Sequence, residues 1–159
     1  MNTEEQNKGF TELIEANKGL ISKICLVYAR TEADRQDLFQ EIILQAWKGF
    51  PRFRGESKFS TWLYMVSLNT ALTAKRKNRN ALIEPPVEIS SVDFLQLEDE
   101  PKAKLYAAIE ELSEIEKSIV LLYLDEYNYD QMEKILGISN GALRVKMSRI
   151  KQKLKTIIK

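Results

Sequence analysis

At 159 residues the chain has room for one domain or two small ones, and its 44% apolar, 30% charged composition is that of a soluble globular protein. It has no histidine and a single cysteine, Cys25, which removes the usual zinc sites, an internal disulfide and the commonest general base. No apolar run is long enough to cross a bilayer, no glycine-rich phosphate loop or nucleophile elbow occurs, and the net charge of +1 conceals a segregation of charge along the chain.

Neither catalysis, a metal site nor a cofactor is therefore expected. The opening MNTEEQNKGF is polar and acidic, unlike a signal peptide. Cys25 sits among Ile24, Leu26 and Val27 as a small core residue, and both features fit the cytoplasm.

Residues Phe10 to Arg30 read as the first helix, with Phe10, Leu13, Ile14, Asn17, Ile21, Ile24 and Tyr28 at helical spacing. Thr31 is the expected cap of a second helix running to about Lys48, and Asp34 in its first turn suits the helix dipole. Its buried side is expected to be Leu38, Phe39, Ile42, Ile43, Ala46 and Trp47. Asp37, Gln40 and Glu41 fall at i, i+3 and i+4 and project together as an acidic patch. Such a patch is either a solvated face or a docking face for a basic partner.

Gly49 and Pro51 end that helix. The loop FPRFRGESKF follows, with Arg52, Phe53, Arg54 and Gly55 in a row and Lys58 close behind. Ser57 is the expected cap of a third helix running to Asn80. Phe59, Trp62, Leu63, Val66, Thr70 and Thr73 define its expected apolar face, and Asn69 lies among them as a buried amide in need of partners. The helix ends in Lys75, Arg76, Lys77 and Arg79. Cations beside an aromatic ring suit nucleic acid, because the charges face phosphates and the ring can stack on an unpaired base. A core helix with a solvated basic end fits the same stretch equally well, so the choice must come from elsewhere in the chain.

Residues 81–101 contain Pro85, Pro86 and Pro101, six acidic residues and no lysine or arginine. They read as an acidic flexible linker between residues 1–80 and residues 102–159. The second part is helical by pattern. A short helix from Lys102 to Leu112 is followed by a capping box at Ser113 and Glu116, opening a helix with Ile115, Ile119, Leu121, Leu122 and Leu124 as its core. Asn128 with Gln131 repeats the device, Gly137 is a left-handed C-cap, and Ser139 caps a last helix whose charges are all basic.

Helix, glycine turn and basic helix make a helix-turn-helix, with Met132, Ile135, Ile138, Leu143 and Met147 as its small core. In that motif the second helix enters the major groove, its N-terminal residues near base edges. The fold class expected is therefore all-α: two small helical domains joined by a linker.

These pieces resemble the extracytoplasmic-function (ECF) group of bacterial sigma-70-type initiation factors. The stretch ADRQDLFQEIILQAWKGFPRFRGESKFSTWLYMVSLNTALTAKRKNR is similar to the family's region 2, and AIEELSEIEKSIVLLYLDEYNYDQMEKILGISNGALRVKMSRIKQKLK to its region 4. The resemblance implies a sigma factor that binds core RNA polymerase through the β′ clamp and β flap and reads promoter DNA. Asp37, Gln40 and Glu41 match the D-x-x-Q-E run that docks on the clamp. Arg52, Phe53, Arg54 and Lys58 match the loop that holds a flipped −10 base, and Asn69, Lys75, Arg76, Lys77 and Arg79 the remaining −10 contacts.

Phe59, Thr61, Trp62 and Leu63 match the family's F-x-T-W-L. Trp62 is expected in the core of its helix rather than as a melting wedge. Arg144, Val145, Lys146, Ser148 and Arg149 occupy the positions that face the −35 element. Val145 and Lys146 depart from the family's usual Ser and Arg, so the preferred −35 sequence should differ. The acidic linker would run through polymerase channels that later hold RNA.

An anti-sigma partner is common in the family, and insertion into a membrane is not expected. Two other readings remain open at this level: a helix-turn-helix regulator that binds its operator without polymerase, and a helical adaptor whose basic tail binds an acidic protein.

Overall fold

The computed structural model describes residues 3–74 and 100–158; the cluster Lys75, Arg76, Lys77 and Arg79 and the expected linker up to residue 99 lie outside them. All regular structure among the described residues is helical: α1 Thr3–Ala16, α2 Lys18–Tyr28, α3 Glu32–Gly49, α4 Phe59–Ala74, α5 Glu100–Ile109, α6 Glu114–Leu124, α7 Tyr129–Leu136 and α8 Asn140–Ile157, with a single 3-10 turn at Phe50–Arg52. The first four and the last four helices belong to two separate compact units. No described helix is long and apolar enough to cross a membrane.

In the first unit α2, α3 and α4 pack on one another and α1 leans on α2. Ile14, Ile21, Ile24, Cys25, Phe39, Ile42, Ile43, Leu63 and Leu68 are fully buried between them. Each such aliphatic side chain contributes about 1.5–3 kcal/mol on leaving water. The thiol of Cys25 is free, and burial pushes it up to about 12 against a smaller opposing effect of Arg35. It is a core group.

The expected single first helix is two. Asn17 breaks it: its amide nitrogen donates to the Leu13 carbonyl at 2.7 Å, and its backbone sits at φ −120°, ψ 16°. A short polar side chain has bonded the carbonyl that helix propagation would use.

Thr31 does cap α3, accepting from the Asp34 N–H at 3.1 Å, and the Arg35 Nε closes the corner by donating to the Ala29 carbonyl at 3.0 Å. Ser57 does not cap α4. The helix starts at Phe59, the Lys58 carbonyl accepts from Trp62 N, and the Ser57 hydroxyl turns to that same carbonyl.

The buried face of α4 also differs from the expected one. Leu63, Tyr64, Ser67, Leu68, Thr70 and Ala71 are buried, whereas Trp62 and Val66 are half-buried, and Asn69 and Thr73 are exposed. Apolar residues encircle this helix, so spacing alone could not choose among its faces.

In the second unit α8 packs on α5, α6 and α7. Ile109, Ile119, Leu121, Leu122, Met132, Leu143, Met147 and Ile150 form its core. Ile138 is half-buried, and Ile115 and Leu124, expected in the core, are each 41% exposed. Pro101, expected to stop a helix, lies in the first turn of α5, where its missing N–H costs nothing.

Both capping boxes form. Ser113 N donates to Glu116 Oε1 at 2.9 Å and Asn128 N to Gln131 Oε1 at 2.9 Å, each with the reciprocal bond. Gly137 takes φ +72°, and the Ser139 hydroxyl accepts from Ala142 N at 3.3 Å.

Candidate functional site

The loop after α3 is held by rings. Phe10 of α1 contacts Trp47 and Phe50, each at 5.2 Å between centroids; Phe50 contacts Phe59 at 6.2 Å; Phe53 contacts Phe59 at 5.7 Å and Trp62 at 5.3 Å. Such edge and tilted contacts each add about 0.5–1.5 kcal/mol beyond the area they bury. Gly49 lets Trp62 approach, because a Cβ there would stand 3.1 Å from the indole.

Arg52, Arg54 and Lys58 are exposed around this anchored frame, and Gly55 turns the loop at φ +73°. Phe53, read from the sequence as a stacking ring, is half-buried against Phe59 and Trp62. Its ring position fits an anchor. Asn69 is exposed and so can meet a ligand, although not as the buried amide expected.

On α3 the structure brings Asp37, Gln40 and Glu41 to one side. Asp37 and Gln40 are exposed, and Glu41 is half-buried, accepting from Gln45 Nε2 at 3.1 Å. Beside them runs a groove of about 380 Å³ lined by Tyr28, Leu38 and Ala71 together with the charged Arg30, Asp34 and Asp37. Sequence reasoning missed this groove. It depends on α4 delivering Ala71 to the α2–α3 corner, which no local spacing announces.

The last helix exposes Arg144, Val145, Lys146, Ser148 and Arg149 together, with Val145 51% exposed. A cationic face with one apolar member suits a major groove, where phosphates attract the charges and a thymine methyl offers an apolar contact.

Two exposed cations of α8 contact α6. Lys153 Nζ bonds both Glu116 carboxylate oxygens, at 3.0 and 2.8 Å, and Lys151 lies 4.8 Å from the Tyr123 ring centroid. Burial would raise the Glu116 carboxyl, but the Lys153 ammonium and the Ser113 N–H and hydroxyl outweigh it and hold it below the usual range.

The start of α8 carries a network that sequence reasoning also missed. Asn140 Nδ2 donates to Asp130 Oδ1 at 2.8 Å, Asn140 Oδ1 accepts from Arg144 Nε at 2.7 Å, and Asn140 N donates to Glu133 Oε1 at 2.6 Å. The Arg144 guanidinium lies over the Tyr129 ring at 4.6 Å. The i, i+4 spacing of Asn140 and Arg144 was visible, but the approach of α7 was not.

The chain matches the family model of sigma-70 region 2 over residues 13–81 and that of sigma-70 region 4 over residues 102–154. It is 26% identical over 161 residues to the ECF RNA polymerase sigma-E factor of Escherichia coli K12, covering 91% of this chain and 84% of that protein. It is 26% identical over 167 residues to the factor of the same name from Haemophilus influenzae, covering 95% and 88%.

Among solved structures it is similar to the sigma factor RpoE of Bartonella quintana, solved with the anti-sigma factor NepR, with a TM-score of 0.70, 18% identity and coverage of 95% of this chain and 97% of that one. It is also similar to CnrH, solved with the cytosolic domain of CnrY, with a TM-score of 0.67, 18% identity and coverage of 95% and 88%.

Proposed function

The chain belongs to the sigma-70 family, in its ECF group, and on that premise we propose how its residues divide the work of a sigma factor. It is an RNA polymerase sigma factor, whose partners are core polymerase and promoter DNA. In our reading residues 1–80 act as region 2, residues 81–101 as a linker and residues 102–159 as region 4. The protein is a specificity subunit without chemistry of its own, working in the cytoplasm where polymerase works.

Asp37, Gln40 and Glu41 dock on the β′ clamp. The exposure of Asp37 and Gln40 on the side of α3 that also carries the half-buried Glu41, with Asp37 lining a groove shared with Leu38 and Ala71, supports that role. A basic partner helix would find the carboxylates of Asp34 and Asp37 and the apolar side chains of Leu38 and Ala71 in the same groove. Arg52, Arg54 and Lys58 face the −10 strand, with Asn69, Lys75, Arg76, Lys77 and Arg79 completing the contact. Phe53 braces this loop from within.

Capturing an unstacked base costs a few kcal/mol. A rigid frame of rings lowers the further cost of ordering the loop around it. Arg144, Val145, Lys146, Ser148 and Arg149 read −35 duplex, where phosphate contacts position the helix and a few side chains discriminate bases. The observation that carries the assignment is the exposure of these five residues on a helix whose Lys151 and Lys153 contact α6 instead.

One of the solved relatives is held by an anti-sigma factor, and we carry a regulator of that class to this chain. Pull-downs from uninduced cells should return a small dedicated inhibitor; recovery of polymerase alone would remove this partner.

The test of the whole reading is transcription. Sigma-free core polymerase supplied with this protein should start transcripts at discrete sites on genomic templates, while the free protein binds the same duplexes weakly. Tight, sequence-specific binding by the free protein with no effect on polymerase would instead indicate a helix-turn-helix regulator.

A further inference from the structure

We propose that Asn140 is a specificity-determining positioning residue: it orients Arg144 so that the outer edge of the guanidinium reads one guanine of the −35 duplex. This rests on the assignment of α8 as the −35 reader and adds a residue to it.

A carboxylate accepts only, and a guanidinium donates only. Asn140 stands between Asp130, at 2.8 Å, and Arg144, at 2.7 Å. Its amide therefore has one workable orientation, nitrogen toward Asp130 and oxygen toward Arg144. Asp130 comes from the first turn of α7, so the orientation of a side chain on the reading helix is set by the helix before it. The backbone N–H of Asn140 is independently fixed by Glu133. The residue is thus held at three points.

Arg144 is then restrained in two ways. Nε is occupied by Asn140, and the guanidinium plane lies over Tyr129 at 4.6 Å. The two terminal Nη groups remain, and they form a planar fork. Guanine presents O6 and N7 in the major groove as two coplanar acceptors, which this fork matches. Adenine presents a donor at N6 in place of one acceptor and is refused. A free arginine on the helix surface would lose rotamer entropy on reading a base. Here the stacking and the Nε bond hold it in place beforehand, so less is lost on binding.

A phosphate would also accept from the fork. The place of Arg144 one turn into α8, in the part of a recognition helix that faces base edges, favours the base.

The test uses the full chain assembled with core polymerase and a promoter library randomised in the −35 element, with retained sequences counted. The wild-type holoenzyme should show one position where guanine is favoured about tenfold or more. Arg144→Ala and Asn140→Ala should both flatten the preference at that one position and leave the others standing. Ser139 remains to cap α8, so Asn140→Ala should keep its helical content, which circular dichroism checks.

The exchange Asp130→Asn with Asn140→Asp keeps a donor facing an acceptor at both contacts and should restore the preference. A purely structural role for Asn140 would not be rescued at a single base position. Unchanged preference in Asn140→Ala would overturn the proposal, as would a loss spread evenly over all sequences, the mark of a phosphate contact. A wild-type holoenzyme with no −35 preference at all would overturn the underlying reading of α8 instead.

Discussion

Lys153 and Glu116, 37 residues apart, meet at 2.8 Å, so the capping box that opens α6 is also the point at which the basic helix α8 is fastened to it. One carboxylate thus serves two structural elements. Its folded-state pKa lies below the usual 4.5 despite burial, through the Lys153 ammonium and the Ser113 groups. A lowered carboxylate pKa means stability that is fully present above the unfolded value and is lost as pH falls through the folded one. Glu116→Gln keeps an acceptor for Ser113 N but removes the charge. It should cost about 0.5–1 kcal/mol at pH 7, and the difference from wild type should vanish in acid. Denaturant titrations of the full chain at both ends of that range check the sign.

The frame of rings makes a prediction about Phe53. If the ring anchors the loop against Phe59 and Trp62, an apolar side chain of similar bulk serves nearly as well. Phe53→Leu should retain most promoter opening and Phe53→Ala should lose it, with core binding unchanged in both. Equal loss in the two variants would return Phe53 to the role of a stacking ring. Phe10→Ala, at a fully buried ring, should destabilise the first unit by about 3–5 kcal/mol, measured by thermal or chemical unfolding.

The two glycines at the helix-turn-helix should behave oppositely. Gly137 has open space around it but sits at φ +72°, so Gly137→Ala costs backbone strain of about 1–2 kcal/mol. Gly141 has open space and lies in the first turn of α8. Gly141→Ala should stabilise by about 0.4–1 kcal/mol through the unfolded chain. Unfolding midpoints decide both.

Cys25 should resist thiol reagents at neutral pH, since its thiol is buried and pushed up to about 12. Alkylation should proceed only at the rate at which the first unit opens. Rapid modification of the native protein would contradict the packing described for α2.

Much of this molecule is local and was legible for that reason. Thr31, Ser113, Asn128 and Ser139 cap helices through bonds to the third residue on, and Gly137 ends one through its own backbone, so a short window contains each cause. What failed depends on neighbours distant in sequence. The buried face of α4 is chosen by α2 and α3, and spacing could not find it among apolar residues on every side.

Asn17 fits the period of the apolar stripe by position, yet its amide competes for the helix's own hydrogen bond. The −10 role of Phe53 follows from its residue type and from the family resemblance; its contacts with Phe59 and Trp62 come from the convergence of α4 with the loop, which no local spacing announces. The exposure of Arg144, Val145, Lys146, Ser148 and Arg149 follows from the core positions Leu143 and Met147 of α8, whereas their reading of a −35 element is what the family resemblance implies. The role of Asn140 needed Asp130.

A sigma factor built this way should be held to polymerase by the acidic side of α3. Association of the purified protein with sigma-free core polymerase tests it most directly, beside the variant Asp37→Ala with Glu41→Ala. The wild type should bind tightly and the double variant should not, with the helical content of the variant unchanged. Binding that ignores the double change would contradict the docking face, and no binding by the wild type would contradict the function itself.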